Sequence, residues 1–238
     1  MRHAGVVAVT SLALEARIAG GPGVSVVLCN QSLHLAARLS EAIAHGASGI
    51  ISFGIAGGLA RHLVAGDCIV ASTVKTGTDI FTTDRAWSRR LLQAIPKAIH
   101  AEVAGSDVLV ATPAHKARLH AETGALAVDM ESHIAARVAL ANGIPFAVCR
   151  VVIDAAHRTL PPAAAVGLRA DGTPDVRAVI RSLLRNPAQL PDLIRTARDA
   201  EVAERALLWA RRHLGAGLGI AEEPSVAEEQ GIPAYAVA

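Results

Sequence analysis

Four short stretches of the chain carry side chains that could do chemistry. In Cys149-Arg150-Val151-Val152-Ile153-Asp154-Ala155-Ala156-His157 a long apolar run ends in a lone carboxylic acid. An acid held at that depth keeps its proton more tightly, as a general acid requires. Asp154 could equally cap a helix or pair with Arg150 or Arg158. His157 is the histidine closest to it, and the other histidines have no metal-ligand spacing. Ala127-Val128-Asp129-Met130-Glu131-Ser132 brings two acids to one side of an extended chain and Met130 to the other. A carboxylate facing a cleft can accept from both hydroxyls of a ribose. Capping of the next helix would account for one of these acids, not for both. Ser52-Phe53-Gly54-Ile55-Ala56-Gly57-Gly58-Leu59 runs from an apolar strand into a glycine-rich turn. Such turns let a phosphate or ribose approach backbone N–H groups, or simply turn the chain. They match neither the dinucleotide fingerprint nor the Walker loop. Lastly, Thr10-Ser11-Leu12-Ala13-Leu14-Glu15-Ala16-Arg17 puts Glu15 on the first turn of a helix. There it could also be a solvated acid at the positive helix end.

These residues need a scaffold that gathers strand ends. Short β-branched runs supply it at Gly5–Thr10, Val24–Cys29, Gly49–Phe53, Cys68–Val74, Val108–Ala111, Ala125–Asp129 and Phe146–Val152. Helical patterns separate them. Ser32–His45 carries Leu33, Ala36, Ala37, Leu39 and Ile43 on one side. Asp84–Ile95 opens on a cap residue, Pro113–Glu122 follows Thr112 as cap, and Glu131–Ala141 stops at Asn142-Gly143. The alternation predicts an α/β fold: one domain, with a mixed, mostly parallel sheet flanked by helices. Arg158–Gly172 is a loop by composition, and two helices follow at about 174–185 and 189–214. The domain is expected over residues 1–214, C-terminal helices included, with a flexible tail over 215–238.

Composition narrows the function. Of 238 residues, 52% are hydrophobic and 18% charged, so a core can form and general disorder is excluded. A formal net charge of +2 implies neither a nucleic-acid nor a membrane partner by itself. Cys29, Cys68 and Cys149 lie far apart, in no metal or disulfide pattern, which fits a reducing, cytoplasmic setting. Thr10, Ser11, Glu15 and Arg17 interrupt the first apolar run, so it makes a poor signal peptide.

Taken in order, the four stretches resemble the nucleoside phosphorylase and nucleosidase superfamily, and above all its methylthioadenosine/S-adenosylhomocysteine nucleosidases. Gly54-Ile55-Ala56-Gly57-Gly58-Leu59, followed by Gly66-Asp67-Cys68-Ile69-Val70, is similar to the family's glycine-rich ribose or phosphate loop. Val128-Asp129-Met130-Glu131 resembles its Val-Glu-Met-Glu ribose motif, and Arg150-Val151-Val152-Ile153-Asp154 its Arg-x-x-Ser-Asp catalytic segment. Glu15 falls where the nucleosidases keep a water-activating Glu. The likeness covers roughly residues 5–157. A narrower resemblance, carried by Asp154–Pro162 and by Asn186-Pro-Ala-Gln-Leu-Pro191, is to the hopanoid-associated phosphorylases, to which removal of adenine from adenosylhopane is assigned.

The resemblance implies cleavage of an N-ribosyl bond with adenine as leaving group. Asp154 would donate toward the purine N7 and Glu15 would orient water. Glu131, with Asp129 beside it, would hold the ribose hydroxyls, and Met130 would pack on the sugar. Gly54, Ala56 and Gly57 would offer backbone N–H groups. Ile55 stands where many relatives place Ser, and Ile153 replaces the Ser before the catalytic Asp. Thr112 and Pro113 occupy the place of a missing Gly-Asp-x-Phe base-stacking stretch, and His157 completes the expected substrate contacts. No metal or organic cofactor is implied, though phosphate could replace water as co-substrate. The expected partners are a small-molecule or lipid-linked nucleoside and a second copy of the chain as a homodimer, but no nucleic acid. A hopane-sized substituent would need an apolar groove. Candidates are Thr159-Leu160-Pro161-Pro162 with Leu183, Leu184, Leu190, Leu193 and Ile194, rimmed by Arg158, Arg181 and Arg185 for peripheral contact with the membrane. Two other readings stay open: a nucleosidase for small nucleosides, and a non-catalytic nucleoside- or lipid-binding protein.

Overall fold

A computed structural model describes residues 5–29, 32–77, 79–165, 169, 171–173 and 175–220. Residues 221–238 of the tail expected over 215–238, and His3, lie outside the described residues. Strand β1 (Val6–Thr10) is buried along its whole length. It pairs in parallel with β2 (Val24–Leu28) and with β3 (Gly49–Gly58). Apolar side chains at every position suit a strand covered on both faces. Beyond β3 the sheet curls. β3 pairs with β8 (Phe146–Asp154) and β7 (Ala127–Asp129), β8 with β4 (Cys68–Thr76), β4 with β6 (Ile99–Gly105), and β6 with β7. These five strands close a circuit, which leaves no free edge among them. β2 and β1 extend the sheet from β3, and β5 (Asp79–Thr82) extends it from β4.

Helices cover both faces. α2 (Ser32–Ala44) and α5 (Ser132–Ala141) bury Leu35, Leu39, Ile134 and Ala135 against one side of the sheet. α1 (Ala13–Ala19), α3 (Arg85–Ala94) and the long α8 (Leu190–Leu214) cover the other. α8 does so with Ala203, Leu207, Ala210 and Leu214, the spacing of one helical stripe. α4 (Pro113–Thr123) starts on the Thr112 hydroxyl, which accepts from His115 N at 3.3 Å. α6 (Pro162–Ala165) and α7 (Val176–Arg185) join the sheet to α8.

The structure departs from the sequence reading in four places. β3 runs on to Gly58, so Gly54, Ile55, Ala56 and Gly57 lie in a strand ladder rather than in a turn. Val108–Ala111 forms no strand, and Val108 and Leu109 are exposed. The strand is Ile99–Gly105, whose alternation sends Ile99, Ala101 and Val103 inward and leaves His100 exposed. That half-polar pattern carries no continuous apolar run, and the short β5 was missed for the same reason. The chain after Gly215 also docks: Leu218 is buried, and its carbonyl accepts from Trp87 Nε1 at 2.8 Å.

Candidate active site

The carboxyl ends of β3, β7 and β8 meet the turn after β1 around one buried cation, Arg150. Its Nη2 donates to Glu131 Oε2 at 3.0 Å and to Ser52 Oγ at 2.6 Å, and its Nη1 donates to Ile55 O at 3.2 Å. Its Nε lies 2.8 Å from Asp129 Oδ2, an ion pair not aligned as a hydrogen bond. Burial works against the guanidinium charge, but Asp129, Glu131 and Glu15 outweigh it and hold Arg150 above its ordinary proton affinity. A parallel sheet makes this possible, because it delivers side chains from different chain segments to one end.

The three acids around Arg150 are held differently. Asp129 Oδ1 accepts from Ser132 N at 2.8 Å and from Glu131 N at 3.2 Å, and the Ser132 hydroxyl donates to Oδ2. Asp129 is therefore the cap of α5 and a partner of Arg150. Both of its oxygens thus meet groups of its own chain, whereas the expectation set it beside Glu131 at the ribose hydroxyls. Glu131 gives only Oε2 to Arg150, and no described residue donates to its Oε1. Burial raises its proton affinity, Arg150 opposes this, and Asp129 and Glu15 add to it, which brings the carboxyl to a pKa of about 7. Glu15 is buried on the first turn of α1. Its Oε2 accepts from Ser11 N at 2.8 Å and Leu12 N at 2.9 Å, so it caps its own helix, buried rather than solvated. Its Oε1 accepts from Ile55 N at 2.7 Å and so ties α1 to β3. Gly54 sits between these groups at φ +155°, where an added Cβ would lie 2.4 Å from Glu15 Oε1 and 2.9 Å from Arg150 Nη1.

Asp154 ends β8, beyond Arg150 on the same strand, and pairs with Gly57 of β3. Neither Arg150 nor Arg158 pairs with it; Lys116 of α4 does, contacting Oδ2. Burial raises the proton affinity of Asp154 and Lys116 opposes the rise, while Asp199 adds to it. Gly57 packs closely between Asp154 and Val128 of β7. A Cβ there would stand 3.3 Å from both Asp154 Oδ1 and Val128 Cγ1. Asp154 opens on a cavity of about 470 Å³, lined also by His157, Arg158, Thr159, Leu160, Asp192, Arg195, Thr196 and Asp199. Leu160 is the one aliphatic side chain in that wall. Leu184, Leu190 and Ile194, expected in an apolar groove, are exposed and do not line this cavity. Met130 is half-buried beside Glu131, and His157 and Thr112 are exposed.

The match to known proteins is decided over most of the chain. The family model of the phosphorylase superfamily matches residues 7–185. The chain belongs to that superfamily. As a phosphorylase-superfamily member it is an enzyme, and its fold is that of solved nucleosidases. The 5′-methylthioadenosine/S-adenosylhomocysteine nucleosidase of Helicobacter pylori superposes with a TM-score of 0.64 at 16% identity, covering 90% of this chain and 97% of that one. The futalosine hydrolase of the same organism gives a TM-score of 0.64 at 15% identity, covering 91% and 97%. The S-adenosylhomocysteine nucleosidase of Streptococcus pyogenes gives 0.59 at 16% identity, covering 87% and 98%. A search of curated proteins found no match.

Within this superfamily member, three groups escaped the sequence reading. Ser52 and Ser132 share a hydrogen bond at 2.8 Å and complete the Arg150 network. Lys116 left one signal, since it falls on the same helical face as Leu119 and His120 at i+3 and i+4. Among the described residues no three His, Cys, Asp or Glu side chains gather as a metal site, and no helix is long and apolar enough to cross a membrane.

Proposed function

We propose that the protein cleaves the N-ribosyl bond of a 5′-substituted adenosine and releases adenine. One observation carries this reading. Asp154, a partly buried acid whose proton affinity burial raises, opens on a cavity and pairs with Gly57 of β3, the strand whose Ile55 also contacts the anion-rich centre of Glu15, Glu131 and Arg150. Breaking the bond leaves negative charge on the base and positive charge on the sugar. Asp154 neutralises the first by giving its proton to the departing purine. Glu131 and Glu15 stabilise the second, and the free Oε1 of Glu131 accepts from the ribose hydroxyls.

Water is the nucleophile in this proposal. Arg150 already serves Glu131 and Asp129, and in the cavity wall Arg158 and Arg195 lie 4 Å or less from Asp199 and Asp192. A phosphate dianion would meet three carboxylates and no unpaired cation among these. Glu15 Oε1 carries one hydrogen bond, from Ile55 N, and keeps an acceptor position for water.

The finer reading takes the 5′ substituent to be large and apolar, as in adenosylhopane. It rests on the resemblance of residues 154–162 and 186–191, and one surface supports it. α7 buries no residue fully. Its outer face carries a row of Val176, Ile180 and Leu184, respectively 58%, 51% and 78% exposed. Beside that row run Arg177, Arg181 and Arg185, also exposed. An apolar row flanked by arginines suits an anionic phospholipid surface, where such a substrate would be met. The polar wall of the cavity at Asp154 favours the second reading, a nucleosidase for small nucleosides. Adenine release from methylthioadenosine and from a long-chain 5′-alkyl adenosine, with and without phosphate, tests both. Hydrolysis is expected, with free sugar as product whether or not phosphate is present. Release of adenine by Asp154→Asn at the wild-type rate would refute the mechanism.

A further inference from the structure

Lys116 is fully buried, a placement lysine almost never takes without a partner. It sits on the fourth residue of α4, on the face turned to the sheet. Its ammonium contacts the Asp154 carboxylate and donates to Ala155 O at 2.9 Å and to Arg158 O at 3.3 Å. Three donors thus meet three acceptors, all on the segment that ends β8 and lines the cavity. Removing an ammonium from water costs several kcal/mol, and a Leu or Met at this position would pack α4 without that cost. The pair therefore has a use other than packing. α4 thus supplies the Asp154 carboxyl with a donor that carries a charge.

We propose that Lys116 is a positioning residue that acts through Asp154, holding the carboxyl at the cavity wall and balancing the negative charge that forms on it as its proton leaves. The inference rests on the reading of Asp154 as the proton donor. As the N-ribosyl bond breaks, its electron pair passes to the purine. The purine takes the proton from Asp154, and the new carboxylate is left against the Lys116 ammonium. No further reactant is needed. The stronger acid transfers its proton more readily, and burial of Asp154 works the other way by raising its proton affinity. The other charged groups around Asp154 are Asp192, Arg195 and Asp199 on α8 and His157 and Arg158 on its own loop. Arg158 lies 3.8 Å from Asp199, and Arg195 pairs with Asp192, so among the described residues Lys116 is the one cation bound to the Asp154 carboxyl itself.

The test compares wild type with Lys116→Met and Lys116→Gln in the full-length enzyme. Two quantities are read: the alkaline limb of kcat/KM against pH, and the titration of the Asp154 carboxyl carbon by 13C NMR in the empty enzyme. Removing an opposite charge at this distance should move the Asp154 midpoint upward by about one unit or more. The alkaline limb should move with it, and kcat at the optimum should fall about tenfold or more. Repeating the measurement with His157→Asn removes the neighbouring imidazole as a source of the limb. If Lys116→Met does not fold, Lys116→Gln keeps a donor without the charge and carries the test. A carboxyl midpoint that stays in place in a folded variant overturns the proposal. The two readings fail separately: activity retained in Asp154→Asn refutes the acid, whereas an inactive Asp154→Asn with unmoved midpoints in the Lys116 variants refutes the positioning role alone.

Discussion

Glu131→Gln should make the protein more stable above neutral pH and leave it nearly unchanged in acid. Three carboxylates surround one guanidinium, so one proton is expected to stay in the cluster at neutral pH. Glu131 holds it, chiefly because the carboxyl is buried, with Asp129 and Glu15 acting in the same direction against Arg150. Its pKa stands at about 7 in the folded protein, against an ordinary value of 4.5. A raised carboxyl pKa means that the folded state binds the proton more tightly than the unfolded state. The associated stability is therefore complete below pH 4.5 and is lost as pH rises from there through about 7. A gap of about 2.5 units, at about 1.4 kcal/mol each, makes this loss on the order of 3 kcal/mol. Gln has the shape of the protonated acid and can still accept from Arg150, so it should remove the loss. Urea unfolding of both proteins should give matching free energies near pH 4.5 and a variant more stable by about 3 kcal/mol near pH 8.5. A difference that is the same at both pH values would mean that Glu131 is ionised throughout, and would refute the shared proton. Above about pH 7, where Glu131 is ionised, the same variant should bind ribonucleosides more weakly, because a neutral amide then replaces a charged acceptor. About 1.5–3 kcal/mol is expected in kcat/KM, with a smaller effect on the 2′-deoxy substrate.

Other perturbations probe the remaining parts. Gly54→Ala would force a methyl group onto Glu15 Oε1 and Arg150 Nη1, so the variant should lose activity and at least about 1 kcal/mol of stability; a fully active, equally stable variant would show that this contact is not tight. In a series of 5′-alkyl adenosines, each buried methylene should add up to about 0.8 kcal/mol in kcat/KM if the substituent is apolar and large, whereas a flat series would return the reading to small nucleosides. Sedimentation with phosphatidylglycerol vesicles should retain the wild type and lose the Leu184→Glu variant, with high salt weakening the association; binding unaffected by the substitution would place any membrane contact elsewhere than α7.

Much of the scaffold was legible before any coordinates. β1 and β8 are largely apolar runs covered on both faces and β2 is a short Val-rich run at the sheet edge, so composition alone located them within a residue or two. α3 and α4 declared their starts through Asp84 and Thr112, side chains that accept from their own first-turn N–H groups. β6 stayed hidden because its polar alternation gives no continuous apolar run. The length of β3 stayed hidden because glycines normally mark a turn. Here they let a strand pass beneath Asp154 and beside the Glu15 carboxylate, a reason invisible until those side chains are in place.

For the site, sequence determined which acids could matter. Glu15, Asp129, Glu131 and Asp154 each follow a strand, and strand ends are where a largely parallel sheet gathers side chains. What each acid does was decided only by tertiary contacts. Asp129 and Glu131 are two residues apart and chemically alike, yet one caps α5 while the other keeps an oxygen free, because the first backbone N–H groups of α5 point at Asp129. The pairing of Arg150 with those two, and of Lys116 with Asp154, joins residues far apart in the chain. Local spacing carries no information about such pairs. Their proton affinities are set by burial and by which charges lie within a few ångströms, and both exist only once the strands have closed.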